Sequence, residues 1–301
     1  MRAEKTSFPQ GFLSGKVFCD SIFPPRLVAG LLGLFLVALL PIVSAHAQTS
    51  DVVERKTLRV CSDPANLPFS SDDEKKIGFE NKIAHLLGEK LGLPVAYTWF
   101  PQATGFVRRT LSEKRCDIII GFAQGHELVQ NSNPYYRSAY AMVVKKAGPL
   151  SEIKNLDDPR LKQAKIGVIA GTPPGNILAL NGLLPQIKGY NLTVDRRHEA
   201  PAETMIRDLV KGDIDIALVW GPIGGYFARE LGGGKLDVRP MLHETKGPRM
   251  IFRITFGIRH GEPDWKHTLN AFITANQAEI NTILAEYGVP LVDEHDRLIS
   301  R

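Results

Sequence analysis

A helix–strand motif that occurs twice constrains the fold of this chain more than any other feature. Met205–Tyr226 reads MIRDLVKGDIDIALVWGPIGGY, in which apolar residues recur at helical spacing before Gly212 and form a short run after it. Glycine tolerates the left-handed backbone that ends a helix, and an apolar run suits a strand covered on both faces. Val107–Ile120 repeats this order, with Asp117 in the position of Asp215. The repeat predicts two similar α/β lobes, and the alternative is two unrelated helix–strand units.

The repeat also predicts where a ligand would bind. Ligands of open α/β sheets bind beyond the carboxyl ends of the strands. Gly121-Phe122 and Trp220-Gly221-Pro222 follow the two repeated strands, so we expect them on facing rims of one cleft. Asp117 and Asp215 precede the strands, where structural hydrogen bonding is the expected role.

The N-terminal segment has the pattern of a secretory signal peptide. Leu27–Val43 is strongly apolar, Arg26 precedes it, and Ala45-His46-Ala47 supplies small residues at the cleavage site. We therefore expect residues 1–47 to be removed before Gln48 and the mature protein to be periplasmic. An uncleaved anchor is the alternative, but the apolar run is slightly short for a membrane span.

The charge of the chain argues against nucleic acids as partners. Removal of residues 1–47 takes away four basic and two acidic residues, so the net charge falls from +5 to +3. No basic stripe with interleaved aromatic residues is present, which argues against nucleic-acid binding.

Two cysteines, Cys61 and Cys116, remain after this cleavage. Export permits a disulfide. However, one cysteine ends a predicted strand and the other begins one, and in parallel neighbours these ends lie farther apart than a bridge allows. Two buried thiols are the favoured expectation, and a disulfide is the alternative.

Apolar spacing predicts three further elements. Thr104–Lys114 is predicted to be a helix, Leu192–Asp195 a strand, and the chain from about Asp264 to Tyr287 a long helix. The apolar stripe of the long helix comprises Trp265, Leu269, Phe272, Ile273, Ile280 and Leu284.

Several short motifs follow one another in a recognisable order. They are Leu58-Arg59-Val60 with Asp63-Pro64, Gly78-Phe79-Glu80, Asp117–Gly121, Asn133-Pro134-Tyr135-Tyr136 and Ile166–Thr172. This order resembles the bacterial periplasmic solute-binding proteins of the two-lobed, amino-acid-binding type. The resemblance implies an α/β fold of the periplasmic binding protein type II, in which two lobes with mixed sheets are joined by a hinge of two crossings. Lobe 1 would comprise residues 52–147 plus 252–301, and lobe 2 residues 148–251.

The sequence departs from that type at the ligand anchors. Amino-acid binders usually carry an arginine after the third strand and an acid after the second-lobe strand. Here Gly121–Leu128 contains no arginine, and Trp220-Gly221-Pro222 replaces the acid. Because stripping the charges of an amino acid of water without partners is costly, we do not expect an amino-acid ligand.

Longer stretches are similar to a narrower family. CSDPANLPFS, GFENKIAHLLG, YTWFPQATGFVRRTL, RCDIIIG, NPYYRSAY and LVWGPIGGYFA resemble the accessory J proteins of methanol dehydrogenase operons, the MxaJ/XoxJ type. The resemblance implies a periplasmic partner of a PQQ-dependent methanol dehydrogenase, with its c-type cytochrome as a possible second partner. The quinone and the calcium or lanthanide ion would belong to the dehydrogenase, so no cofactor is expected here.

The predicted cleft residues are mostly aromatic. They are Asp63, Asn66, Phe69, Trp99, Phe106, Tyr135, Tyr136, Arg137, Thr172, Trp220 and Tyr226. A weakly charged, aromatic cleft suits an apolar protein segment or an apolar molecule better than a zwitterion. Glu80 lies in the first turn of a predicted helix, where a carboxylate complements the helix dipole, so we assign it a structural role.

The sequence favours a binding protein over an enzyme. No nucleophile–base set, phosphate-binding lysine loop or close carboxylate pair is visible, and no histidine pair has metal-ligand spacing on a helix. The leading expectation is a non-enzymatic accessory protein of the dehydrogenase, for assembly or activation. The alternative is a transport receptor for a small ligand other than an amino acid.

Overall fold

The computed structural model describes residues 54–299, so the predicted signal peptide lies outside the described residues. The helices alternate with strands, as the α/β prediction requires. The strands are β1 Leu58–Ser62, β2 Ala65–Asn66, β3 Ser70–Ser71, β4 Val95–Trp99, β5 Ile118–Ala123, β6 Gln130–Lys145, β7 Ile166–Ile169, β8 Ile187–Tyr190, β9 Ile216–Trp220, β10 Leu236–Pro240 and β11 Ile251–Ile258. The helices are α1 Phe79–Leu91, α2 Phe106–Arg109, α3 Pro173–Leu180, α4 Pro201–Lys211, α5 Gly221–Gly232 and α6 Pro263–Glu286.

One mixed sheet carries most of these strands, in the order β4-β1-β5-β11-β6-β9-β7-β8, with β10 paired to β6. β4, β1 and β5 are parallel to one another, and so are β9, β7 and β8. We call these two sets the first and the second strand group. β6 and β11 lie between the groups and run antiparallel to their neighbours.

The long strand β6 connects the two groups. Its residues from Gln130 to Ala139 pair with β11, and those from Tyr140 to Val144 pair with β9. The chain returns through β11. Met250, just before this strand, accepts a hydrogen bond from the backbone N–H of Tyr140. Two crossings are therefore present, as the predicted hinge requires. The described residues belong to one compact unit, and the predicted lobe boundaries stay a prediction.

The second copy of the repeated motif has the predicted local structure, and in both copies an aspartate precedes the strand. Gly212 ends α4 in the left-handed conformation, with φ of 92°, and β9 follows. The backbone N–H of Asp117 donates to Arg59 at 2.7 Å, and that of Asp215 donates to Lys165 at 2.8 Å. Their carboxylates accept hydrogen bonds as well, that of Asp117 from the Arg59 side chain and that of Asp215 from the backbone N–H of Lys165, so the structural role predicted for both is confirmed.

One predicted helix is shorter than expected, and one predicted strand is a loop. The helix predicted over Thr104–Lys114 is only the four residues of α2, because Thr110 leaves helical geometry and a series of turns follows it. Leu192–Asp195 is a loop instead of a strand. The partner strand β7 ends at Ile169, opposite Tyr190, so the next residues have no edge to pair with.

A disulfide joins Cys61 and Cys116, which corrects the expectation of two thiols. Cys116 precedes β5 instead of lying in it, and both cysteines sit in one small core cluster with Phe106, Leu111 and Ile119. The two Cα atoms are 5.5 Å apart, within the range of a bridge. The predicted distance between the two cysteines was too long, because the prediction placed Cys116 inside the strand.

The long C-terminal helix packs as its stripe predicts. All six apolar residues of the stripe are buried, and they join the core between the sheet and α1. Asn276 interrupts the helical backbone, and its side-chain amide donates to the carbonyl of Phe272.

Candidate functional site

A cavity of about 640 Å³ opens where both strand groups end. Gly121 and Phe122 at the end of β5 line one side, and Trp220 at the end of β9 and Thr172 after β7 line another. This is the position predicted from the carboxyl ends of the repeated strands. Its volume falls within the range of small-molecule sites.

Several aromatic rings lie in the wall. Phe69, Phe122, Tyr136, Tyr140 and Trp220 all line the cavity. The Trp220 ring meets the Tyr140 ring edge-on, with centroids 5.3 Å apart. These two residues are paired across β6 and β9, so the sheet register itself fixes the tryptophan.

The cavity carries more charge than the sequence suggests. Its charged lining residues are Lys76, Glu80, Arg196, Glu199, Glu203, Arg207 and Glu230. Arg207 and Glu203 lie one turn apart on α4 and neutralise each other at 2.6 Å. The expectation of a weakly charged cleft missed these residues, because they come from several elements, among them the loop at 191–200 and the start of α4.

Arg196 approaches Asp63 from the other side of the cavity. Its Nη1 atom lies 3.6 Å from Asp63 Oδ2, which is too long for a hydrogen bond but close enough for an ion pair. Asp63 is 4 % exposed and also accepts hydrogen bonds from the backbone N–H groups of Ala65 and Gln102, at 2.9 and 2.7 Å. Asp63 therefore organises the loop after β1 and presents its charge to Arg196.

Glu80 is the acid that sequence reasoning assigned to the helix dipole. Its backbone N–H donates to Phe69 at 2.8 Å, which anchors the start of α1 beside the cavity. The carboxyl group lies directly against Gly121, where a Cβ atom would overlap with Oε1. Glu80 thus depends on a glycine at the end of β5, a relation that no local sequence pattern reveals.

The surroundings of Glu80 favour its neutral form. Burial, with a further contribution from Asp63, raises the pKa of Glu80 to about 8. The Glu80 side chain is half-buried and lines the cavity. Among residues 54–299, no group donates a hydrogen bond to it and no cation pairs with it.

The structure brings five of the eleven predicted cleft residues to the cavity. These are Asn66, Phe69, Tyr136, Thr172 and Trp220. Asp63 does not itself line the cavity, but it forms an ion pair with Arg196, which does. Phe122 and Tyr140 line the cavity without having been among the eleven, although Phe122 belongs to the rim that the repeat predicts.

The other five predicted residues do not line the cavity. Tyr135 stacks on Phe256 in the core and Tyr226 stacks on Tyr287, with centroids 4.8 and 5.9 Å apart. Trp99 stacks on Tyr97 at 4.5 Å. The remaining two are Phe106, in the core cluster of the disulfide, and Arg137, which pairs with Asp296. Each of these side chains contacts another part of the protein instead of the cavity. The spacing of residues along the sequence does not indicate such contacts.

The sequence profile of the bacterial extracellular solute-binding proteins, family 3, matches residues 58–289. The chain belongs to this family. Among its relatives is the protein MoxJ of Methylorubrum extorquens, which is 29 % identical over 250 residues, covering 78 % of this chain and 82 % of that protein.

Solved structures agree with this assignment. The periplasmic binding protein XoxJ from Methylobacterium extorquens AM1 is 44 % identical, with a TM-score of 0.67, and the match covers 79 % of this chain and all of XoxJ. MxaJ from Methlophaga aminisulfidivorans MPT has a TM-score of 0.66 at 24 % identity, over 78 % of this chain and all of MxaJ, which shows the fold alone. The resemblance to the MxaJ/XoxJ type and the predicted periplasmic binding protein fold are therefore confirmed.

Within residues 54–299, no helix is long and apolar enough to cross a membrane. The same residues contain no group of three or more histidine, cysteine, aspartate or glutamate side chains placed to hold a metal ion.

Proposed function

We propose that this protein is a non-enzymatic accessory protein in the periplasm, which docks on a PQQ-dependent methanol dehydrogenase and assists its assembly or activation. The observation that carries the proposal is the 44 % identity with XoxJ along the whole length of that protein. The quinone and the metal ion of the system would reside in the dehydrogenase. Its c-type cytochrome is a second candidate partner.

The cavity supports a docking role. Rings from both strand groups line it, and aromatic side chains dominate the binding energy of most protein interfaces. Two arginines, one lysine and four glutamates also line the cavity, so a bound segment would contact both rings and charged groups. The cleavage of a signal peptide before Gln48 would deliver the protein to the compartment of its partner.

Co-purification tests this proposal. The mature protein, immobilised through its C-terminus, is expected to capture the dehydrogenase encoded in the same cells and to raise the yield of active enzyme on reconstitution. An unrelated member of the solute-binding family is the matched control. Absence of capture and of any effect on activity at micromolar concentration would contradict the proposal.

A transport receptor for a small ligand is the second candidate. The specific observation in its favour is the cavity volume of about 640 Å³, which suits a small molecule. Ligand-driven closure requires a ligand that binds the closed state more tightly than the open state. A thermal-shift screen that finds a saturable ligand, together with no capture of the dehydrogenase, would favour this receptor.

A further inference from the structure

Six lysine side chains lie at the end of the second strand group that is opposite the cavity. The cavity opens where β7 and β9 end, whereas these lysines surround the residues at which the two strands begin. We call this set the lysine band. It comprises Lys145, Lys146, Lys162, Lys165, Lys211 and Lys235.

The register of the sheet brings the lysine band together. Lys145 ends β6, next to the first pair that this strand makes with the start of β9. The backbone N–H of Lys146 donates to the carbonyl of Lys235, just before β10, at 2.9 Å. On the other side of β9, the carbonyl of Lys165 accepts a hydrogen bond from the backbone N–H of Asp215 at 2.8 Å. Neighbouring strands therefore carry these lysines side by side.

The charge of the lysine band is not neutralised within the described part of the chain. Among residues 54–299, none of the six lysines forms an ion pair, and all but the half-buried Lys145 are exposed. Asp213 and Asp215, just before β9, lie among them, so six lysines and two aspartates leave an excess of four positive charges. The chain without residues 1–47 carries only +3 in total, so its positive charge is concentrated at this end.

Exposed apolar side chains flank the lysine band. Seven large apolar side chains are exposed among the described residues, and three of them lie at this end. They are Leu180, Leu184 and Val210. Leu180 ends α3, which leads the chain away from the cavity, and Val210 directly precedes Lys211 in the last turn of α4. The side-chain amide of Gln186 donates to the carbonyl of Lys162 at 3.1 Å, which holds the turn with Leu184 beside the band.

The residue types at this end favour a lipid surface over a protein partner. Protein interfaces are enriched in arginine and depleted in lysine, and leucine is under-represented among their hot spots. The nearby arginine, Arg160, is already held by Asp158 at 2.6 Å. Lysine carries a compact charge on a flexible stem, which suits many mobile phosphate groups. Proteins that lie on a bilayer combine such lysines with apolar groups that enter the boundary between headgroups and acyl chains.

We propose that the lysine band and its three exposed apolar side chains bind the surface of an anionic phospholipid bilayer. The proposal goes beyond docking on the dehydrogenase, because it concerns the opposite end of the second strand group. A protein bound in this way presents its cavity away from the bilayer. The cavity therefore stays accessible to a partner while the lysine band contacts lipid.

Co-sedimentation of the mature protein with vesicles tests the proposal. Phosphatidylcholine vesicles with about one-third phosphatidylglycerol supply the anionic surface, and pure phosphatidylcholine vesicles are the neutral control. We expect saturable binding to the anionic vesicles and at least about ten-fold weaker binding to the neutral ones. Raising sodium chloride from about 0.05 M to about 0.5 M should weaken the binding at least about ten-fold, since salt screens exposed charges.

A pair of double variants locates the charged contact. Lys165→Gln with Lys235→Gln should weaken binding to the anionic vesicles at least about ten-fold, because each lysine near such a surface contributes about five-fold. Lys75→Gln with Lys76→Gln removes the same charge on the cavity side and should bind as the original protein does.

A pair of leucine variants locates the apolar contact. Leu184→Gln should weaken binding to the anionic vesicles at least about three-fold, because a polar side chain does not enter the acyl boundary. Leu192→Gln, at a similarly exposed residue of the cavity wall, should leave this binding unchanged.

Equal binding to both kinds of vesicle, no binding to either kind, or unchanged binding by the variant of Lys165 and Lys235 would each overturn the proposal. If the vesicles bind no protein and this variant loses capture of the dehydrogenase, the lysine band is a protein interface and the lipid proposal is wrong. Failure of the original protein to capture the dehydrogenase would instead contradict the proposed function, and the vesicle measurements would still decide the lipid contact.

Discussion

Arg196 Nη1 and Asp63 Oδ2 lie 3.6 Å apart, which connects the loop after β8 with the loop after β1 across the edge of the cavity. The arginine is about one-third exposed and the aspartate is almost fully buried. The segment at 191–200 contributes several lining residues and has no strand partner. This ion pair is therefore a contact that holds the segment over the cavity.

Arg196→Gln should loosen this segment with little loss of global stability. Partly exposed ion pairs contribute about 0–1 kcal/mol, and Asp63 keeps its two backbone donors in the variant. We expect faster amide exchange at residues 191–199 and a free energy of unfolding lower by about 1 kcal/mol or less. Hydrogen exchange by mass spectrometry and urea unfolding measure the two effects. Arg197→Gln, whose partner Asp195 is two residues away, should leave residue 63 and its neighbours unchanged.

Asp117→Asn should destabilise the protein strongly. The carboxylate is 1 % exposed and accepts hydrogen bonds from Arg59 at 2.7 and 2.9 Å and from Arg259 at 3.0 Å. Burial opposes its ionisation, but the two guanidinium groups outweigh burial and hold the pKa of Asp117 below its ordinary value. Removing one partner of a buried ion pair costs about 3–5 kcal/mol. Urea unfolding at neutral pH measures the loss.

The repeat supplies the control for that variant. Asp215 occupies the matching position but is exposed, and its carboxylate accepts one backbone hydrogen bond from Lys165. Asp215→Asn is expected to cost less than about 1 kcal/mol, since the amide oxygen can still accept this bond. Equal losses in the two variants would show that the ion pairs of Asp117 with Arg59 and Arg259 are not the stabilising feature.

Glu80→Gln should stabilise the protein in a pH-dependent manner. The pKa of Glu80 rises from 4.5 to about 8 in the folded state, so between these values the folded protein holds a proton that the unfolded chain has released. Folding stability then falls as pH rises through this window, and glutamine removes the effect. We expect the variant to unfold at a higher temperature than the original protein at pH 8 and at nearly the same temperature at pH 4.5. Thermal unfolding followed by circular dichroism checks this, and a gain that is equal at both pH values would refute the assigned pKa direction.

Reduction of the disulfide should destabilise the protein without disrupting the sheet. Cys61 and Cys116 are 55 residues apart, and the chain-entropy estimate for a loop of this length is about 4 kcal/mol, with measured values often nearer 2. Urea unfolding with and without dithiothreitol measures the difference. The double variant Cys61→Ser, Cys116→Ser should be insensitive to the reductant. Two reactive thiols in the unfolded, unreduced protein from the periplasm would show that the bond does not form.

Substitution of two tryptophans should show whether the dehydrogenase docks in the cavity or elsewhere on the protein. Trp220 lines the cavity, whereas Trp99 stacks on Tyr97 at the sheet edge and does not line it. If the dehydrogenase docks in the cavity, Trp220→Ala should weaken its binding at least about ten-fold, as expected for an aromatic hot spot. Trp99→Ala should leave the affinity unchanged. Surface plasmon resonance with the immobilised dehydrogenase measures both, and equal affinities of the two variants would place the docking surface elsewhere.

The extent of sequence prediction differs between the fold and the cavity. The second helix–strand unit, the glycine that ends α4 and the apolar stripe of α6 depend on local periodicity, so the sequence predicted them directly. The disulfide and α2 were predicted wrongly, because each depends on where the chain turns between elements. Trp220 and Tyr136 reached the cavity as predicted, whereas Tyr135 and Tyr226 found partners in the core.

The sequence by itself determined an α/β chain with two repeated units, a rim at the ends of their strands, and membership of a solute-binding family. Tertiary structure alone decided which charges face the cavity. Glu80 lies against Gly121, and Arg196 lies against Asp63, across separations of 41 and 133 residues. Local sequence patterns carry no information on such pairs. The two members of each pair come into contact, and their charges act on one another, only when the two strand groups have folded together.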